Sequence, residues 1–290
     1  MGKVRIVTDS SAHFPRPEVM RHYNVYVVPL LIHLGTQAFR EGVDLEAADF
    51  FRLMERSNIR ATLSAPSVED FIAVYQRLHR ETDQILSLHL SRHMSKAWEH
   101  ARAASQTLLG RCDIVVVDSR TTSVGLAILV ELAAQMAEQG ASLDEIVHMV
   151  RATLPHVYSV FYVNSLTYLR YNGLLSEAQT ILGTMLNIKP FLTIEEGELI
   201  PMEKVRTQSQ ALDKLMEFVT EFIAPEQIVI LESSFYPTER TRQIQERLSL
   251  EFPGHTIATV PYGPSLATLI GPDGMGVVVH ENPNASEDED

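Results

Sequence analysis

Cysteine and positive charge are both scarce in this chain of 290 residues. Cys112 is the single cysteine, so no disulfide can form within the chain. Lysine and arginine together number 24 against 37 aspartates and glutamates, which gives a formal net charge of −13. Nucleic acids and anionic membrane surfaces are bound through clustered positive charge. The charge balance therefore argues against both kinds of partner.

Long apolar stretches are missing as well. No segment approaches the roughly 20 apolar residues that cross a bilayer, so we expect no stable membrane insertion. At the N-terminus, Asp9 interrupts the first short apolar run, which leaves no stretch that resembles a signal peptide. We therefore expect a cytoplasmic protein. Apolar residues still make up 45% of the chain, which is enough to build a core.

Apolar runs of strand length alternate with helical patterns along the chain. This alternation predicts an α/β fold with mainly parallel sheets flanked by helices. The length favours two α/β domains, residues 1–155 and 156–280, and the acidic residues 281–290 are expected to form a disordered tail. Glu195–Glu198, which contains Gly197, predicts a hairpin turn between two strands.

Two segments are apolar on nearly every side of a predicted helix. They are Ser123–Gln139 in its first half and the stretch from Ile181 to Ile188, which follows a helix predicted at Glu177–Gly183. Helices of this kind lie buried between layers. They form either an inter-domain core or the walls of a slot for an apolar ligand, and the sequence leaves both open.

Three loops rich in hydroxyl groups follow predicted strands: Asp9-Ser10-Ser11, Ser91–Ser95 and Asp118-Ser119. Open α/β sheets bind ligands at the carboxyl ends of their strands, so these loops predict a polar ligand end. The alternative is that the side chains only cap helices.

Signatures of catalysis and of metal binding are absent from the sequence. It contains no G-x-S-x-G elbow and no phosphate-binding loop in the right context, and neither the Asp9/Ser10 loop nor the Asp118/Ser119 loop has an activating base in sequence. His89, His93 and His100 lack carboxylates or cysteines at ligand spacing, so we expect solvated histidines. We therefore predict no catalytic residue, no metal and no cofactor.

The order of several short motifs resembles the DegV family of bacterial lipid-binding proteins, over about Val4 to Val279. The matching pieces are Val4–Ser11, Ser64–Ser67, Ser91–Ser95, Val117–Ser119 with Ser123 and Gly125, Leu186–Pro190 with Gly197 and Lys204–Arg206, and the pairs Gly263-Pro264 and Gly271-Pro272. Each piece is weak alone, and their shared order carries the resemblance.

The resemblance implies two α/β domains with a long-chain fatty acid in a tunnel between them. It also implies that the carboxylate meets hydroxyls and a basic residue, and that a separate ATP-dependent fatty acid kinase subunit phosphorylates it in some members. Carried over by position, the carboxylate-binding residues would be Ser95, Arg206, Ser64, Thr62 and Lys96. The residues near the head group would be Asp9, Ser10, Ser11, Ser91, Ser119 and Ser123.

Several positions depart from the family pattern. Leu63 stands where the family has a threonine, Ala97 replaces a second threonine, Leu174 an arginine and Leu269 a histidine. Thr62 would replace the first hydroxyl only if the loop shifted. We expect lipid binding to persist, with presentation to a kinase left open. The alternative is a binder of another lipid or amphipathic carboxylate without a kinase partner.

Overall fold

The computed structural model describes residues 3–56, 59–175 and 188–282. The strands are β1 (Arg5–Asp9), β2 (Tyr26–Val28), β3 (Leu31–Leu34), β4 (Gln37–Arg40), β5 (Ala61–Ser64), β6 (Gln84–His89), β7 (Asp113–Asp118), β8 (Val157–Tyr162), β9 (Lys189–Glu195), β10 (Glu198–Val205), β11 (Pro225–Glu232), β12 (Ala258–Pro261) and β13 (Met275–Glu281). The helices are α1 (Glu18–His22), α2 (Ala47–Arg56), α3 (Val68–Leu78), α4 (Ala97–Ser105), α5 (Ser123–Glu138), α6 (Leu143–Thr153), α7 (Thr167–Tyr171), α8 (Gln208–Thr220), α9 (Glu239–Glu251) and α10 (Pro264–Ile270). The helix predicted at Glu177–Gly183, the apolar stretch up to residue 187 and most of the predicted tail lie outside the described residues.

The first half of the chain builds a four-stranded sheet in the order β2-β1-β6-β7, in which every pair is parallel. Its strands read as continuous apolar runs because helices cover the sheet, as in other parallel sheets. In β6, every residue after Gln84 is buried. Here the prediction of a parallel sheet flanked by helices is confirmed.

The second half builds a six-stranded sheet in the order β10-β9-β8-β13-β11-β12. Only β11 and β12 pair in parallel, and the other four pairs are antiparallel. The α/β class therefore holds, but the expectation of mainly parallel strands does not extend to this sheet. Part of the reason is the predicted hairpin, in which Glu196 and Gly197 both have positive φ angles (48° and 90°). A tight turn of this type joins neighbouring strands in antiparallel fashion.

Helix α5 lies between the two sheets. It contacts β1 and β6 of the first sheet and β8 and β13 of the second. Val124, Leu126, Leu129 and Val130 have no exposed surface, although they point in different directions around the helix. Full burial stabilises each such side chain by about 1.5–3 kcal/mol. The prediction that this segment is buried between layers is confirmed.

Helix α10 packs against α2 and against β3 and β5, which form a small antiparallel sheet with β4. A helix near the end of the chain is thus part of the core of its first half. The division at residues 155 and 156 stays a prediction. None of the helices in the described ranges is long and apolar enough to cross a membrane.

A buried glutamate and a partly buried histidine hold the start of α10. The Glu41 carboxylate accepts a hydrogen bond from the Ser265 amide (2.7 Å) and one from the Ser10 hydroxyl (2.6 Å). His13 Nε2 accepts from the Gly263 amide (3.0 Å), and its Nδ1 lies 2.9 Å from the Ser123 hydroxyl. Burial lowers the pKa of His13 to about 4, so the ring is neutral, with its proton on Nδ1. These contacts fix α10 against the first sheet.

Replacing Glu41 with glutamine should make the free energy of unfolding depend less on pH between about 4.5 and 7. Burial raises the pKa of Glu41 from 4.5 to about 7. The folded chain therefore binds more protons than the unfolded chain between these values, and the free energy of unfolding should fall as pH rises through this window. Urea denaturation of wild type and Glu41→Gln from pH 4.5 to 8 measures the effect.

Wild type and Glu41→Gln must be compared because His13 changes the free energy of unfolding with pH in the opposite direction to Glu41. Its pKa lies below the ordinary 6.5, so its contribution to stability rises with pH between about 4 and 6.5 in both chains. Asp9 lies close enough to influence the pKa of both groups and is unchanged in the variant. Identical slopes in wild type and variant would contradict the role given to Glu41.

Candidate functional site

Asp9 ends strand β1 with no exposed surface, and the protein itself satisfies its carboxylate. One oxygen accepts from the Ser11 amide (3.1 Å) and the Ser11 hydroxyl (2.5 Å). The other accepts from the Leu90 amide (3.0 Å) and lies 3.0 Å from His89 Nδ1. A buried carboxylate needs this many partners. The predicted role of Asp9 and Ser11 near a head group stays a prediction.

A line of side chains joins Ser87, His89 and Asp9 in the geometry of a nucleophile, a base and an acid. His89 Nε2 lies 2.7 Å from the Ser87 hydroxyl, which accepts a hydrogen bond from the Tyr75 hydroxyl (2.8 Å). All four side chains are fully buried. His89 is therefore not the solvated histidine expected from the sequence. Because Ser87 is buried, a substrate cannot reach its hydroxyl. These hydrogen bonds therefore stabilise the core.

The alternation of residues along β6 explains why Ser87, His89 and Asp9 lie together. It is also the sequence signal that could have predicted their contact. Residues two apart in a strand face the same side, so Ser87 and His89 share a face. Asp9 ends the neighbouring strand β1. Burial raises the pKa of Tyr75, which keeps its hydroxyl protonated as a donor. A Ser-x-His pair ending one predicted strand, beside an aspartate ending another, is the pattern to look for.

The other hydroxyls predicted near the head group also bond to the protein. Ser91 donates to the Gly197 carbonyl (2.7 Å), and Ser119 donates to the Thr121 carbonyl (3.2 Å). Ser10 bonds to Glu41 and Ser123 to His13, as described above. Several of these contacts link distant parts of the chain, so the loops do more than cap helices.

The tip of the β9–β10 hairpin lies against the loop that precedes α4. Glu198 lies 3.3 Å from His93 Nδ1, and Gly197 packs so closely on Ser91 that a Cβ atom there would lie 2.5 Å from the serine hydroxyl. Beside this contact is a cleft of about 250 Å³. Its walls are His93, Gly173–Leu175 and Glu198–Pro201. The cleft thus lies between elements from both halves of the chain.

Asn172 joins three distant motif segments next to this cleft. Its carbonyl accepts from the Leu63 amide (2.9 Å), and its amide donates to the carbonyls of Thr268 (2.7 Å) and Tyr168 (3.0 Å). These bonds bring together the end of α7, the edge strand β5 and helix α10. Reasoning from the sequence singled out Leu174 but not Asn172, so the role of Asn172 as a bridge was missed.

Thr62 and Ser64 lie in the regular part of strand β5. Thr62 is directly opposite His33 of β3, and Leu63 is opposite Ile32. Successive side chains of a strand face opposite sides. Thr62 and Ser64 therefore share one face, and Leu63 lies on the other with the fully buried Ala61 and Ile32. Thr62 and Leu63 therefore face opposite sides of β5, and the carboxylate-binding role of Thr62 stays a prediction.

Ser95 and Arg206 lie far apart in the fold. Ser95 is half-buried, and its hydroxyl accepts from the Ala97 amide (3.3 Å) at the start of α4, beside the exposed Lys96. Arg206 is exposed after β10. Strand β10 rises about 3.3 Å per residue, which places Arg206 about 25 Å along the hairpin from Glu198. The structure therefore does not bring Arg206 to the cleft.

No group of three or more histidine, cysteine, aspartate or glutamate side chains within residues 3–56, 59–175 and 188–282 is arranged to hold a metal ion.

Comparison with known families gives a match over nearly the whole chain. The model of the family described as "Uncharacterised protein, DegV family" matches residues 3–282. The chain belongs to the DegV family. The resemblance inferred from the order of its motifs is thereby confirmed.

Relatives in the DegV family cover almost all of this chain. A DegV domain-containing protein of Caldanaerobacter subterraneus is 32% identical over 284 residues, which are 97% of this chain and 100% of the relative. One from Streptomyces coelicolor is 32% identical over 278 residues, 95% of this chain and 98% of the relative.

Solved structures agree with the fold. The crystal structure of DegV, a fatty acid binding protein from Bacillus subtilis, matches with a TM-score of 0.85 at 25% identity, over 97% of this chain and 100% of that one. A DegV family protein from Thermus thermophilus, described by its fatty acid binding, matches with a TM-score of 0.83 at 26% identity, over 97% and 100%. The expected α/β fold class is confirmed.

Replacing Asp9 with asparagine should destabilise the fold. The amide would place its NH₂ group against donors that now bond to a carboxylate oxygen, and an unsatisfied buried group costs about 1–3 kcal/mol. Urea denaturation at neutral pH measures the loss. Asp213→Asn is the control, because Asp213 is 58% exposed in its ion pair with Arg247, and such pairs contribute only about 0–1 kcal/mol. Equal effects of the two variants would contradict this account of Asp9.

Proposed function

We propose that the protein binds a long-chain fatty acid or a similar lipid in a tunnel between its two halves. The observation that carries the proposal is the meeting of distant DegV motif segments beside a cleft between the halves, through Asn172. The Bacillus subtilis and Thermus thermophilus relatives, described as fatty acid binding, support the ligand class. The tunnel itself is a proposal from the family resemblance.

The physical basis of such binding is the burial of hydrocarbon. Each CH₂ group removed from water contributes about 0.8 kcal/mol, so a long chain supplies most of the binding free energy. Leu175 and Leu199 are buried in the walls of the cleft, whose exposed surface is mainly polar, so the apolar tunnel is proposed from the family resemblance alone. Binding of this kind needs no catalytic group and no cofactor other than the lipid.

Ser95 is the hydroxyl that we place at the polar end of the lipid, with Lys96 as the adjacent positive charge. His100, in the second turn of α4, bonds to the Pro66 carbonyl (2.7 Å) and so holds this end of α4 against the loop after Ser64. Thr62 and Ser64 face away from Leu63, so we give them lesser roles, and Arg206 lies along the hairpin away from the cleft, so we give it none. The buried Asp9, Ser11, Ser91, Ser119 and Ser123 would act by supporting the loops, and so would the partly buried Ser10.

The proposal has two versions, one with a partner protein and one without. In the first, an ATP-dependent fatty acid kinase subunit phosphorylates the carboxylate of the bound lipid. In the second, the chain binds another lipid or amphipathic carboxylate without a kinase. Leu63, Leu174 and Leu269 favour the second version, because they remove the hydroxyl, the guanidinium and the imidazole of the family pattern. We also retain the cytoplasmic location predicted from the sequence.

Native mass spectrometry of the purified chain should detect a bound acyl lipid. We expect a fraction of the molecules to carry an added mass that organic extraction removes and that lipid analysis assigns to a long-chain species. Adding long-chain lipids to folded protein from which the bound lipid has been removed should raise its melting temperature by mass action. Recovery of no acyl species, together with no thermal shift, would contradict the proposed function.

Replacing Ser95 with alanine should weaken lipid binding about fivefold, because one hydrogen bond contributes about 1 kcal/mol. Fluorescence competition with a labelled acyl lipid measures the change in Kd. Arg206→Ala is the matched control, since Arg206 lies away from the cleft, and we expect its Kd to match that of wild type. A loss in Arg206→Ala equal to that in Ser95→Ala would contradict the placement of the polar end.

A further inference from the structure

A second cleft lies at the edge of the first sheet where strand β1 begins, at the opposite end of β1 from Asp9. Its volume is about 350 Å³, which falls in the range of small-molecule sites. Its walls come from β1, from the end of α1 with the start of β2, and from the end of α3. The polar residues of these walls are Arg5, Arg21, Asn24, Tyr26, Arg77 and Glu81. We call this feature the arginine cleft.

Positive charge exceeds negative charge in the arginine cleft, although the chain as a whole has a net charge of −13. Arg5 and Glu81 form an ion pair, in which 25% of the arginine side chain and 47% of the glutamate side chain are exposed. The excess positive charge therefore comes from Arg21 and Arg77. These two groups attract an anion locally, against the repulsion of the rest of the surface.

Arg77 is held in place by Tyr26, another residue of the arginine cleft. Its guanidinium donates a hydrogen bond to the Tyr26 hydroxyl (2.8 Å), and its Cζ lies 5.3 Å from the centre of the ring. A cation in the last turn of a helix often bonds to the final carbonyls of that helix, but this side chain bonds to a different element. The Tyr26 hydroxyl accepts this bond and keeps its own hydrogen for another acceptor. Arg77 and Tyr26 thus offer N–H and O–H donors whose positions are already fixed.

Arg21 makes no ion pair and no side-chain hydrogen bond with any residue in the ranges 3–56, 59–175 and 188–282. Its side chain is exposed at the end of α1. The Arg21 guanidinium is therefore free to bond to a ligand that enters the arginine cleft.

We propose that the arginine cleft binds the phosphate group of a small phosphorylated molecule. Guanidinium groups match the geometry of phosphate oxygens and form charge-assisted hydrogen bonds with them. A phosphate dianion has enough acceptor oxygens for Arg21, Arg77 and the Tyr26 hydroxyl together, whereas one arginine fork satisfies a carboxylate. Met20 and Val25 also line the cleft and would contact the organic part of the ligand. This inference goes beyond lipid binding, because the arginine cleft is separate from the cleft beside the β9–β10 hairpin.

The test measures phosphate binding by isothermal titration calorimetry, with the full-length chain at pH 8 and low ionic strength. The probes are inorganic phosphate, glycerol 3-phosphate and acetate. We expect one saturable site for the two phosphate probes. Acetate should bind at least about tenfold more weakly, because it forms fewer charge-assisted hydrogen bonds. Added salt should weaken phosphate binding, since Arg21 and Arg77 are exposed.

Substitutions in the arginine cleft should change phosphate binding in both directions. Arg21→Ala and Arg77→Ala should each raise the Kd for glycerol 3-phosphate about tenfold or more, because each removes a charge-assisted hydrogen bond. Glu81→Gln should lower the Kd about threefold, because it removes a negative charge and releases Arg5 from its ion pair. Arg206→Ala is the matched control, since it removes one exposed positive charge outside the cleft, and its Kd should match that of wild type.

Two results would overturn this inference. One is the absence of saturable binding of both phosphate probes to wild type. The other is an equal loss of binding in Arg206→Ala and Arg21→Ala, which would show that only the overall charge matters. If Arg77→Ala does not fold, Arg21→Ala decides the test, because the Arg21 guanidinium has no bond to lose within the described part of the chain. Both results leave the proposed lipid binding standing, because that binding is measured with other ligands.

Discussion

The burial of helix α5 is the constraint on which the rest of the structure depends. Its first half is apolar around its whole circumference, so it needs a covering on more than one side. The parallel sheet covers one side and the mixed sheet another. Because one helix serves both sheets, the two halves of the chain lie close together, and loops from each half meet at its N-terminal end. The cleft beside the β9–β10 hairpin is one result.

This close contact between the two halves also determines whether the polar side chains at the strand ends face solvent or are buried. Side chains that end strands in an open sheet face solvent and can receive a ligand. Here the second half of the chain covers several of them, and each buried group then needs a partner inside the protein. Asp9 finds amides and a histidine, Ser91 finds the hairpin turn at Gly197, and Glu41 finds the start of α10. Polar residues that resemble a ligand site therefore also form hydrogen bonds within the protein.

Local patterns in the sequence predict the strands and helices better than they predict which distant segments these pair with. The apolar runs of β1, β6 and β7 predict a parallel sheet because such strands must be buried on both faces. The direction of pairing in the second sheet depends on which distant strands meet, and residue patterns carry little of that information. His89 shows the same limit, because its burial follows from what covers the end of β6. The motif order identified the family, whereas the bridge made by Asn172 became visible only when α7, β5 and α10 were placed together.

The scarcity of positive charge bears on the proposed lipid ligand. With a net charge of −13, the surface repels an approaching anion at long range. For the proposed lipid, the main favourable contribution is the burial of its hydrocarbon, about 0.8 kcal/mol for each CH₂ group. This contribution does not depend on the charge of the surface, so an acidic protein and an anionic lipid are compatible when the hydrocarbon chain is long.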